Sequence, residues 1–138
     1  MSVFLHLQCY GETLVVLSIL YPWADLRNHF HINHIFPKSA FATKRLLKKG
    51  VSTDKVSDFM ENVKYIGNLQ LLEALPNIEK SNMDFDIWLN KTIPSSALNE
   101  YKKKHYIPNV DLNFTNFDIF IEKREELLIA ALVKELKP

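Results

Sequence analysis

The chain has 138 residues, 47% of them hydrophobic and 24% charged, and its formal net charge is +1. That length suits one domain able to bury a core. A single cysteine, Cys9, excludes an intramolecular disulfide and any Cys-rich zinc site within one chain, and points to a reducing compartment. The near-neutral total hides local clusters. Lys38, Lys44, Arg45, Lys48 and Lys49 crowd one stretch and Lys102, Lys103 and Lys104 another, while Glu122, Glu125 and Glu126 lie near the end. Such patches suit an anionic polymer as partner without requiring one.

Residues 12–21 are apolar almost all round, which predicts an enclosed helix ended by Pro22. The apolar run Thr13 to Tyr21 is too short to span a bilayer and lacks the flanks of a signal peptide, so the expected location is the cytoplasm, with no membrane partner. A mixed connection, residues 23–29, leads to Phe30-His31-Ile32-Asn33-His34-Ile35-Phe36-Pro37-Lys38-Ser39. Apolar and polar residues alternate there at period two, the pattern of a half-buried strand. Ser39 is a candidate N-cap for a short basic helix over 40–49, stopped by Gly50. Ser52, Thr53 and Asp54 offer the next cap. Val56, Phe59, Met60, Val63 and Ile66 recur at spacings of three and four, predicting an amphipathic helix that Gly67 breaks.

A second short strand is predicted over 68–72, between Gly67 and Pro76. Pro76 and Asn77 open a helical turn running to Asn82. Residues 84–90 form a short helix anchored by Phe85, Trp88 and Leu89, and the next helix starts at Pro94 and ends near His105. A loop over 109–116 precedes a long closing helix from about Asn116 to Lys137. Phe85, Trp88, Phe117 and Phe120 are expected in the core. His29 and His105 have no constellation around them and are expected at the surface or in loops.

His34, Asn68 and Asn77 mark a strand, insertion, strand, helix order. The segments His31 to Ser39, Ile66 to Leu72 and Asn77 to Asn82, followed by Trp88-Leu89, resemble an HNH (ββα-metal) nuclease. More narrowly, they resemble the C-terminal nuclease domain of modification-dependent restriction enzymes of the GmrSD type. The likeness extends more weakly over His105 to Pro108 and Phe120 to Leu128. It implies an α+β, mostly helical fold: a ββα-metal core with a helical insertion between its strands, followed by C-terminal helices. The expected layout is one domain, with a lead-in over 1–28, the core with its insertion over 29–91, and closing helices over 92–138.

The resemblance implies phosphodiester hydrolysis in DNA, in a restriction or phage-defence setting. His34 would be the general base, an imidazole with pKa near ~6.5 being poised for that at neutral pH. Asn68 would brace the first strand and orient His34. One divalent ion would sit on Asn33 and Asn77, Asn33 standing where the family usually carries Asp or Glu. A neutral amide weakens Mg²⁺ binding. His31, on Asn33's face of the strand, is either an added ligand or a structural residue. A His31, Asn33, Asn77 set leaves Mg²⁺ first and Mn²⁺, Ni²⁺ or Zn²⁺ as alternatives. Lys38 and Lys80 are candidates for gripping phosphate, and Asn82 for steadying the metal-binding helix against nucleic acid. Lys44 and Arg45 are either a solvated helix face or a backbone contact. Asn68 and Asn77 also read as turn and cap residues. A nucleotide-hydrolysing subunit or domain is the further partner the family implies. The alternative is a nucleic-acid-binding module that kept the fold and lost catalysis.

Overall fold

A computed structural model describes residues 10–25, 30–73 and 79–137. Helix α1 (Tyr10–Leu20) is followed by strand β1 (Phe30–His34). Short helices α2 (Thr43–Lys48) and α3 (Val56–Asn62) make up the insertion, after which strand β2 (Leu69–Glu73) returns. Helices α4 (Phe85–Thr92), α5 (Leu98–Lys104) and the long α6 (Phe117–Leu136) complete the described elements. The architecture is mostly helical with one two-stranded antiparallel sheet, in which Phe30 pairs with Glu73, Asn33 with Gln70 and His34 with Leu69. No helix among the described residues is long and apolar enough to cross a membrane.

Two apolar clusters organise the chain. The first gathers Ile35, Phe36, Leu46, Phe59, Phe85 and Trp88 around Phe117 and Phe120. Phe36 is its hub, with its ring centroid 5.3 Å from Phe114, 5.0 Å from Phe117 and 4.8 Å from Phe120. Burial of that ring, worth roughly 1.5–3 kcal/mol, anchors the chain two residues beyond His34. The second cluster joins Leu17 and Leu20 of α1, Leu69 and Leu71 of β2, and Leu128 of α6. Helix α6 therefore contributes to both, and Arg124, fully buried, lies on it between Ile121 and Leu128.

Several boundaries differ from the expected ones, for identifiable reasons. Helix α1 buries Leu17 and Leu20 but leaves Val15 59% exposed, so it lies on the surface of the second cluster rather than enclosed. The strand ends at His34, because Phe36 dives into the core. After Pro37 the chain makes a 3-10 turn, Lys38–Ala40, and α2 begins at Thr43 with no side-chain cap, so Ser39 caps nothing. Gly50 does stop α2. Its φ of 94° lets Gly50 N–H reach Leu47 O and Val51 N–H reach Leu46 O, the paired closure of a Schellman turn. Helix α3 stops at Asn62 rather than running to Ile66, which sits in a 3-10 turn, Ile66–Asn68. Residues 79–80 are helical, but 74–78, and with them Asn77, lie outside the described residues, as does His29.

His105 lies in a turn, one of its two expected placements, but it is buried rather than at the surface. Its Nδ1 lies 3.1 Å from the Tyr21 hydroxyl, and its ring stacks 4.3 Å from Tyr101 with Trp23 at its edge. Burial, with the Arg124 and Lys104 charges adding to it, pushes its pKa down to about 3. The folded state therefore holds this imidazole neutral, while the unfolded chain protonates it near ~6.5. Stability is full above that pH and falls as the pH drops towards 3, with a slope approaching about 1.4 kcal/mol per pH unit from this residue. Melting temperatures measured from pH 7 to pH 4 should fall, and His105→Gln should flatten the profile. An equally steep profile in the variant would refute the assignment.

Candidate active site

The site is built at the end of β1. The strand's last paired residue is His34, opposite Leu69. Just beyond, Ile35 N–H donates to Asn68 O at 2.8 Å. The Asn68 side chain, fully buried, then takes both polar backbone atoms of Phe36: its Oδ1 accepts from Phe36 N–H at 2.8 Å and its Nδ2 donates to Phe36 O at 3.0 Å. The second Nδ2 proton goes to Val63 O at 2.9 Å. Both amide protons and a lone pair of the oxygen are thus spent on holding the exit of β1 against the turn before β2. Asn68 positions the chain at His34 and does not face outward.

His34 itself is half-buried. Loss of hydration holds its pKa below the usual histidine value, and the Lys38 and Lys80 ammonium groups lower it further. The imidazole is therefore neutral at pH 7, the form that can accept a proton. Lys80 is fully buried, and its Nζ donates to His34 O at 2.8 Å. Burial brings it to about 8, so the amine stays mostly charged at neutral pH. Lys38 is exposed, in the turn after Pro37. Two cations thus bracket the histidine, one fixed inside and one free to move in solvent.

Asn33 is buried opposite Gln70, whose Nε2 donates to Asn33 Oδ1 at 3.1 Å. Gln70 is itself fully buried, and its Oε1 accepts from the Tyr101 hydroxyl at 3.2 Å. His31 is exposed and, two residues before Asn33, shares its face of β1. Asn82 is exposed in the turn after Lys80. Lys44 and Arg45 are exposed on α2, where Arg45 Nη1 donates to Ser39 O at 2.6 Å and ties the helix to the Pro37 turn. The strand end therefore gathers His34, Lys38, Asn68 and Lys80, while Asn33, next to His34 in a strand paired through both residues, points to the opposite face with Gln70. Lys44 and Arg45 lie on the neighbouring insertion, and Asn77 is not described.

Asn33 and His31 fit a divalent ion as weak, neutral donors: an amide oxygen oriented from across the sheet and an imidazole on the same face. Among the described residues no three His, Cys, Asp or Glu side chains gather at metal-binding spacing. An ion here would lean on amide oxygens and on the substrate phosphate.

Three contributors escaped the sequence reading. Gln70 and Tyr101 support Asn33. Arg124, fully buried, donates through Nη1 to Ile66 O at 3.0 Å and Gly67 O at 2.9 Å, and through Nη2 to His105 O at 3.1 Å. It thereby grips the turn that delivers Asn68. One signal was available for Gln70, a polar residue inside the apolar run Leu69 to Leu72.

A buried asparagine thus fixes the strand exit beside a histidine that two lysines flank. The family model described as the C-terminal domain of GmrSD restriction endonucleases matches residues 16–130, and the chain belongs to that family. It is thus a restriction-endonuclease-related nuclease domain. A comparison with curated proteins gave no match.

Proposed function

We propose that this domain is a divalent-metal-dependent endonuclease of the HNH, ββα-metal type that hydrolyses phosphodiester bonds in DNA. The observation that carries the reading is the fixed exit of β1, where Lys80 holds the carbonyl of a neutral, half-buried His34 and Asn68 holds the backbone two residues further on. His34 accepts the proton of the attacking water. Lys38 attracts the phosphate, and the charge of Lys80 favours the phosphoryl oxygens from inside. Asn33 and Asn77, with His31 beside them, would hold one divalent ion, Mg²⁺ first and Mn²⁺, Ni²⁺ or Zn²⁺ as alternatives. Such an ion supplies charge stabilisation at the phosphoryl and leaving oxygens. Lys44, Arg45 and Asn82 offer further contacts to the DNA backbone. A separate nucleotide-hydrolysing subunit or domain is the partner that the family implies.

A second reading, a DNA-binding module that has lost catalysis, draws on the neutral Asn33 side chain. Supercoiled plasmid separates the two. Nicking with Mg²⁺ or Mn²⁺ that disappears in EDTA supports the enzyme. Retained DNA binding without nicking under any of the metals supports the module.

A further inference from the structure

We propose that Gln70 and Tyr101 are positioning residues for Asn33, and that the two-bond relay from Tyr101 through Gln70 sets how strongly position 33 holds a cation. This rests on the proposed function for the cation and on the fold alone for the relay.

Gln70 sits fully buried in an otherwise apolar strand, where an unpaired amide would be costly. Both ends of that amide are used, one by Tyr101 and the other by Asn33. The Tyr101 ring is held from two sides, stacked 4.3 Å from His105 and edge-on at 5.9 Å to Trp88. Its hydroxyl has therefore little freedom, and it donates to Gln70 Oε1. With its oxygen occupied, Gln70 turns its NH₂ group towards β1. The atom of Asn33 that meets it is consequently Oδ1.

That orientation matters because Oδ1 is the side-chain atom of Asn33 that can bind a hard cation. The Gln70 bond fixes the direction in which that oxygen is presented. A carboxylate at the same position would accept the Gln70 bond with one oxygen and keep the other for a cation. The relay is thus compatible with either residue and acts as the outer support of position 33. It also reaches from α5 to the strand, two elements that meet nowhere else in the proposed chemistry.

Two measurements test the relay. The first is the side-chain amide ¹H–¹⁵N spectrum of the whole metal-free chain. Tyr101→Phe removes one oxygen and keeps the ring stacking, and it should shift the NH₂ resonances of both Gln70 and Asn33 while lowering the melting temperature by a few degrees, the cost of leaving the buried Gln70 Oε1 without its donor. An unmoved Asn33 pair overturns the relay, whatever the protein does to DNA. The second uses Mn²⁺ as the probe. Asn33→Asp should raise its affinity, and adding Gln70→Leu should lower it again by about 10-fold, the usual scale for losing an outer-shell partner of a metal ligand. Tyr101→Phe in the same background should have a smaller effect in the same direction. Equal Mn²⁺ affinity with and without Gln70 overturns the tuning. Absence of Mn²⁺ binding by every variant overturns the metal in the proposed function and the tuning with it, while the amide spectrum still decides the positioning.

Discussion

His34→Ala is expected to lower plasmid nicking by about 10²–10⁴-fold, the usual contribution of a positioned general base. The fold should survive. His34 is half-buried at the strand's end, its backbone pairs with Leu69, and its carbonyl accepts from Lys80, none of which needs the imidazole. Alanine retains the backbone and removes the proton acceptor. DNA binding should change little, because Lys38, Lys44 and Arg45 remain exposed. The measurement is nicking rate against enzyme concentration, paired with a thermal melt of each protein. Nicking at the parent rate by a folded variant would remove His34 from the base's role.

Arg124→Met should cost about 3–5 kcal/mol of stability, and it should do so far from any exposed surface. The guanidinium is fully buried, and the partners seen are backbone carbonyls and the Tyr21 hydroxyl rather than a carboxylate. Replacing a buried ion pair by apolar residues can be neutral when both charges go. Here the partners are main chain and stay behind. Ile66 O keeps the N–H of Leu69, but Gly67 O and His105 O lose the guanidinium donors, at about 1–3 kcal/mol each. Lost packing at the junction of the two clusters adds to that. Arg124→Lys keeps a charge but not the fork that spans separate carbonyls, so it should recover only part of the loss. Denaturant unfolding measures the difference. A variant within 1 kcal/mol of the parent would contradict the clamp.

Elements whose evidence is local were legible in the sequence. The closing helix was predicted from about Asn116 to Lys137 by its apolar spacing, and α6 spans Phe117–Leu136. The two strands were readable for the same reason, alternation in one and an apolar run between breakers in the other. The core role of Phe85, Trp88, Phe117 and Phe120 also followed from residue type. What escaped depends on tertiary context. Helix α3 was expected to reach Ile66, since its apolar spacing continues that far. The carbonyl of Val63, which a continuing helix would offer to Gly67, goes instead to the Asn68 side chain. The turn position of His105 is legible, but its burial is not, because Tyr21 and Trp23 arrive from more than eighty residues away in sequence. The Asn33–Gln70 pair needs the strand register, which no periodicity supplies. The family likeness points to His34, Asn68, Lys38 and Lys80, and the structure adds how His34, Asn68 and Lys80 are held.

The position of Arg124 between the two apolar clusters bears on cooperativity. A helix that crossed two independent cores could fray from one while remaining docked on the other. Pinning Gly67 and His105 to the middle of α6 removes that option, because either half can lift only by breaking the bonds at its centre. Local opening of the closing helix is then coupled to release of the turn that carries Asn68, and through Asn68 to the backbone at His34. The end of a five-residue strand that carries His34 is thus tied to the opening of a twenty-residue helix, and its amides are expected to exchange together with those of the middle of that helix.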